Sequence, residues 1–158
     1  MRVNRIQELH RAKEAYPLLA ELPLEHLPKL LELAEERDFE QGEIMLIEGD
    51  KSECLFLITS GSVALETVAG GRTILIQTLS AGDAMGWSAL TKTARTHFQA
   101  RALSGVQTIA FEGYKLSAAF DYDHSLGYEM TKRLLAMVTE RLDHTRMQIV
   151  DMYRQSGA

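Results

Sequence analysis

Nine of the eleven glycines in this 158-residue chain fall between Gly42 and Gly113, whereas all three prolines (Pro17, Pro23, Pro28) lie in the first thirty residues. Glycine permits the positive φ angles that reversals of the backbone require. The glycines at 42, 49, 61, 70, 71, 82, 86, 105 and 113 cut this interval into short apolar runs: Ile44-Met45-Leu46-Ile47, Leu55-Phe56-Leu57-Ile58, Val63-Ala64-Leu65 and Thr73-Ile74-Leu75-Ile76. Such punctuation leaves no room for ordinary helices and specifies a sandwich or barrel of short strands. Gly70-Gly71 between two of the runs is a tight hairpin signal. The chain therefore divides into N-terminal helices over residues 1–38, a β domain over 39–113 and a helical segment over 114–158.

The helical reading of the first block rests on Ile6, Leu9 and Tyr16 as one apolar face, then on Pro23 ahead of Leu24, Leu27, Leu30, Leu31 and Ala34. The last block, from Ser125 onward, carries no glycine between Gly127 and Gly157 and no proline. It reads as one long helix of about seven turns, with Ser125 as its N-cap. Leu135, Val138, Leu142, Thr145, Ile149 and Met152 recur along it at alternating steps of three and four. That is the seam of a two-helix coiled coil, and it predicts a homodimer. Met130, Leu134 and Met137 form a second face that can lie on the β domain.

Composition removes several classes of function. The net charge is -5, with six basic and nine acidic residues over 1–40, five and seven over 41–113, and six of each over 114–158. No segment is basic, so the clustered Lys/Arg surface of a nucleic-acid binder is missing. The one cysteine, Cys54, forms no internal bridge and excludes multi-cysteine zinc or iron–sulfur sites. Together with the lack of a long apolar run or signal-type start, this predicts a cytoplasmic protein with no membrane span. At this length a sizeable core needs no covalent staple.

The residues around the glycines are more specific than the spacing. In order they are Phe39 with Gly42-Glu43, Glu48-Gly49-Asp50, Leu55-Phe56-Leu57-Ile58-Thr59-Ser60-Gly61, Leu75 and Leu79 before Gly82-Asp83, Gly86 with Ala89-Leu90, and Arg95-Thr96. Over residues 39–111 this series resembles the cyclic nucleotide-binding domain of the catabolite activator protein (CRP/FNR) superfamily. The resemblance implies a mainly β fold with flanking helices: an eight-stranded β-roll (a double-stranded β-helix of cupin-like jelly-roll type) after short helices and before a long dimerising helix.

In nucleotide-binding members of that family a Gly-Glu-Leu/Ile-Ala stretch meets the cyclic phosphate, its glutamate takes the ribose 2′-OH, and a later arginine pairs with the phosphate. By resemblance, Gly86, Trp87, Ser88, Ala89, Arg95 and Thr96 are the candidate ligand residues, with cyclic AMP or another nucleotide-like anion as the ligand. Two departures matter. Trp87 stands in the glutamate's place, and an indole accepts no hydrogen bond from a hydroxyl. Arg95 follows after only eight residues, without the usual preceding proline. Trp87 either fills the cavity, the favoured reading, or offers a stacking face to a different planar ligand. Thr145, polar within the apolar seam, matches the threonine with which related regulators touch adenine across the dimer.

Nothing in the sequence marks an enzyme. The histidines at 10, 26, 97, 124 and 144 form no His-x-His pair, and no nucleophile–base order, P-loop or paired carboxylate stands out. No catalytic or metal-ligating residue is therefore assigned. Beside Leu55 and Phe56, Cys54 reads as a buried structural thiol. The chain stops at Ala158 with no room for a recognition helix. The expectation is a standalone signalling module that relays occupancy through its dimer helix to a protein partner. The alternatives are a ligand-independent dimeric interaction domain and the N-terminal sensor part of a longer transcription regulator.

Overall fold

A computed structural model describes residues 4–157. Asn4 caps the first helix, α1 (Arg5–Arg11), by accepting a hydrogen bond from the Ile6 amide at 3.0 Å. Leu9 is buried beneath α1, with Ile6 and Tyr16 packed on the same cluster as the sequence periodicity predicts. A second short helix, α2 (Leu27–Leu33), carries Pro28 in its first turn, where a missing N–H costs nothing.

Eight strands follow: β1 (Ala34–Phe39), β2 (Ile44–Leu46), β3 (Cys54–Ser60), β4 (Val63–Ala69), β5 (Arg72–Leu79), β6 (Ala84–Met85), β7 (Gln99–Ala102) and β8 (Val106–Glu112). They form two antiparallel four-stranded sheets, in the orders β1-β8-β3-β6 and β2-β7-β4-β5. This is the mainly β roll with flanking helices that the resemblance implies. The first strand begins inside residues 1–38, which the sequence reads as helices. In β1 the run Glu35-Glu36-Arg37-Asp38 alternates half-buried with exposed positions along a sheet edge, so its charge conceals a strand.

Burial explains the unbroken apolar character of β3. Leu55 and Leu57 face a core shared with the helices, while Cys54, Phe56 and Ile58 face the core between the sheets, so both sides of the strand are covered. The Cys54 thiol is buried, and desolvation raises its pKa. The native chain should therefore resist a disulfide reagent such as DTNB and release one equivalent only after unfolding.

Gly70 and Gly71, with φ of 59° and 75°, form the β4–β5 turn, and Ala69 pairs directly with Arg72. Left-handed conformations at both central positions give the twist of a two-residue hairpin. At the β5–β6 corner Asp83 accepts a hydrogen bond from the Ser80 amide at 2.9 Å, in the turn-capping role its place beside Gly82 predicts.

After β8 the chain forms α3 (Gly113–Tyr122) and then α4 (His124–Ser156), 33 residues and about 50 Å long. The N-cap of α4 is Asp123, which accepts from the Leu126 amide at 3.2 Å. Ser125 does not cap the helix; its hydroxyl lies 3.0 Å from Nε2 of the buried His26 and ties α4 to the N-terminal segment. Leu126, Met130 and Leu134 are buried and Met137 packs on the same cluster, so this face lies on the body of the protein. On the other face Leu135, Leu142, Ile149 and Met152 are each more than half exposed. Among the described residues, no helix is long and apolar enough to cross a membrane.

Candidate functional site

The segment after β6 turns sharply at Gly86 and enters a four-residue 3-10 turn, Trp87–Leu90. Gly86 has φ of 85°, and a Cβ at this position would overlap the Cys54 carbonyl oxygen. Glycine is thus required both by the backbone conformation and by the close approach of β3. Ser88 is buried one turn later. Its hydroxyl accepts from the Ser52 amide at 3.0 Å and lies 3.3 Å from the Thr96 hydroxyl. The loop carrying Arg95 and Thr96 is clamped to the Gly49-Asp50 turn. Gly49 N–H donates to Thr96 O and Thr96 N–H donates to Asp50 O, both at 2.8 Å, and Arg95 Nη1 donates to Gly49 O at 3.2 Å.

These segments enclose a cavity of about 370 Å³ between the β-roll and the middle of α4. Its lining includes Gly86, Trp87, Ser88, Arg95, Thr96 and Thr145, six of the seven residues singled out in the sequence. Ala89 is the exception: it is buried and turned toward Gly113, whose small size lets α3 start against the Ala89 carbonyl. Three residues of the predicted seam, Val138, Leu142 and Thr145, also line the cavity, so one face of α4 forms its outer wall. His97 lies on the same lining but is exposed. Among the described residues no cluster of His, Cys, Asp or Glu can hold a metal ion.

Trp87 does not fill the space. It is half-buried on the wall, with its ring 4.3 Å from the guanidinium carbon of Arg141. That stack uses an arginine which the sequence reading passes over. Arg141 is only 9% exposed, donates from Nη2 to the Ala84 carbonyl at 2.8 Å, and has a buried Nε with no partner. Burial lowers its pKa to about 10, opposed by the charges of Asp83 and Glu140. The guanidinium thus remains charged at neutral pH. The missed signal was periodic, because four residues beyond Met137 the buried face of α4 arrives at Arg141.

With Arg95 at the rim and Arg141 in the wall, and no Asp or Glu on the lining, the cavity is electropositive in a protein of net charge -5. Its remaining walls are apolar, from Leu46, Leu65, Met85 and Phe98. The arrangement can receive an anion and desolvate the body attached to it.

Residues 36–123 match the sequence profile of the family described as Cyclic nucleotide-binding domain. No protein of curated function matches the sequence. Among solved structures, a Geobacter metallireducens protein described as cyclic nucleotide-binding is 25% identical with a TM-score of 0.73, over 84% of this chain and 96% of that one. The Thermus thermophilus catabolite activator protein is 23% identical with a TM-score of 0.71, over 86% of this chain and 62% of that one. The regulatory domain of Toxoplasma gondii PKA, solved with cAMP, is 22% identical with a TM-score of 0.65, over 72% of this chain and 44% of that one. The profile match takes in more than half of the sequence, including the Gly86 turn and nearly all of the eight-stranded roll, and the chain belongs to the cyclic nucleotide-binding domain family.

Proposed function

We propose that the protein is a non-catalytic, dimeric cytoplasmic module that binds a small organic anion between Arg95 and Arg141 and signals through the angle of its α4 helices to a partner protein. The observation that carries this reading is Arg141: a largely buried charge, bonded through Nη2 to the Ala84 carbonyl, on the wall of a cavity with no acidic lining. Asp83 and Glu140 compensate this buried charge only in part, since its pKa stays lowered, and an anionic ligand would add to that compensation. The seam supports the relay. Val138, Leu142 and Thr145 belong both to the cavity wall and to the exposed a/d stripe, so a second α4 laid along the stripe would close the cavity, and occupancy would bear on the pairing angle.

The test is thermal unfolding against cyclic AMP, cyclic GMP, inorganic phosphate and a set of small carboxylates, read together with emission from Trp87, the sole tryptophan. A ligand at a hundredfold excess over its Kd should stabilise the fold by about 2.7 kcal/mol, or raise Tm by roughly 5–10 °C. Arg95→Ala should abolish most of that shift. Absence of a saturable response to every anion, or a full response in Arg95→Ala, would overturn the proposal.

A further inference from the structure

The side chains lining the cavity offer two guanidinium groups, while their acceptors are limited to the Ser88, Thr96 and Thr145 hydroxyls and the His97 ring. Arg95 has spent one donor on Gly49, Arg141 has spent one on the Ala84 carbonyl, and the Ser88 and Thr96 hydroxyls lie 3.3 Å apart on the same lining. Against these, the lining holds neither a carboxylate nor a side-chain amide. Thr145 donates to the Arg141 carbonyl at 3.0 Å, so its hydroxyl can only accept from a ligand. The walls away from the arginines come from Leu46, Leu65, Met85, Phe98, Val138 and Leu142.

Hydrogen-bond bookkeeping then selects the ligand. A head group made only of acceptors is satisfied by two guanidinium groups and two hydroxyls. A ligand body carrying several hydroxyls or amines would have few acceptors to share and mostly apolar wall to lie against, and donors buried without a partner are costly. Cyclic nucleotides carry both a ribose hydroxyl and base donors, and Trp87 occupies the position from which a glutamate would receive the hydroxyl. The planar Trp87–Arg141 stack at 4.3 Å presents a flat cationic and apolar wall in its place.

Resting on the reading that this cavity binds an anion, we propose that its ligand is a compact carboxylic acid with an apolar body, and that ribose cyclic nucleotides are discriminated against. The acid's two oxygens engage Arg95 and Arg141, and its hydrocarbon part lies against Phe98, Leu46 and the seam residues of α4. The volume of about 370 Å³ accommodates a bicyclic acid with room for its head group.

Three probes on the unaltered protein test this without depending on a variant that folds: 2-naphthylacetate, its uncharged amide, and cyclic AMP, each titrated by calorimetry and thermal unfolding. The acid should bind saturably. The amide, of the same shape but without charge, should bind at least about tenfold more weakly, and cyclic AMP should also fall below the acid. Trp87→Glu, which restores an acceptor, should narrow or reverse the preference between acid and cyclic AMP. If cyclic AMP binds as tightly as the acid or more so, the carboxylate inference fails while the anion-binding reading stands; if the amide equals the acid, charge plays no part in binding and both fail. If acid, cyclic nucleotide and inorganic phosphate all leave the protein unchanged, both fail.

Discussion

Ile149→Glu should sediment as a monomer at concentrations where the unsubstituted chain is a dimer. Ile149 is 57% exposed on the isolated chain, about four turns beyond the seam's start at Leu135 and away from the cavity lining. In a two-helix seam its side chain would be covered in both copies, worth about 2 kcal/mol each by the usual area relation. Losing both therefore weakens association by about 4 kcal/mol, roughly a thousandfold. Two facing carboxylates make the variant worse still. Analytical ultracentrifugation checks the state, and far-ultraviolet circular dichroism checks that the fold is retained, since Ile149 is not part of either core. A variant that stays dimeric would place the interface elsewhere and leave the exposed stripe unexplained.

Arg141→Met should separate binding from stability. Folding already carries the cost of burying this charge, for a pKa lowered to about 10 corresponds to about 3 kcal/mol of unfavourable desolvation. The hydrogen bond to Ala84 and the stack on Trp87 offset much of it. Replacing the guanidinium by an apolar side chain of similar length removes cost and compensation together, so Tm should move by no more than about 4 °C. Affinity for the anion should fall by at least about tenfold, because a charge-assisted contact is lost. The pH dependence supplies an independent sign. Above pH 10 the folded chain releases the Arg141 proton while the unfolded chain still holds it. The unfolded state then binds more protons, and this group's contribution to stability rises with pH. Below pH 10 it contributes no slope. Tyr16 and Cys54, both with raised pKa values, contribute the opposite slope, so the readout is the difference between the wild type and Arg141→Met in denaturant titrations: it should grow above pH 10, and a difference that stays constant would contradict the buried charge.

The contrast between Gly70-Gly71 and Arg141 shows where sequence was legible. Two adjacent glycines between β-rich runs have one economical conformation, so the β4–β5 turn could be read directly, and the same holds for the glycine-bounded strands. The long helix was readable from its composition, but its start was not. Ser125 and Asp123 are both good caps, and the choice between them is made by His26, about a hundred residues earlier, which draws in the Ser125 hydroxyl. The onset of the first strand was hidden for a related reason. Glu35 to Asp38 carry charge because β1 is a half-exposed edge, and α2 passes into it without glycine or proline. For the candidate site, Gly86, Ser88, Arg95 and Thr96 came from a local pattern and do converge on one cavity. Arg141 reads in sequence as one more charge among Glu140, Asp143 and Arg146. Its spacing of four from Met137 was the one signal that it turns inward, where its Nη2 meets the Ala84 carbonyl of β6.

The sheet order also governs when the chain can become a protein. Strand β8 lies between β1 and β3, and Ala34 of the first strand pairs with Phe111 of the last. During synthesis at about 5–20 residues per second, the earlier strands must wait roughly 4–15 s before the strand that unites them is made. Until then β1 and β3 present unpaired backbone, including the strongly apolar Cys54–Ile58 run of β3, to any neighbouring strand. A ribosome-bound chain released before residue 112 would lack the central member of one sheet, and its half-built roll would be a substrate for chaperones and proteases.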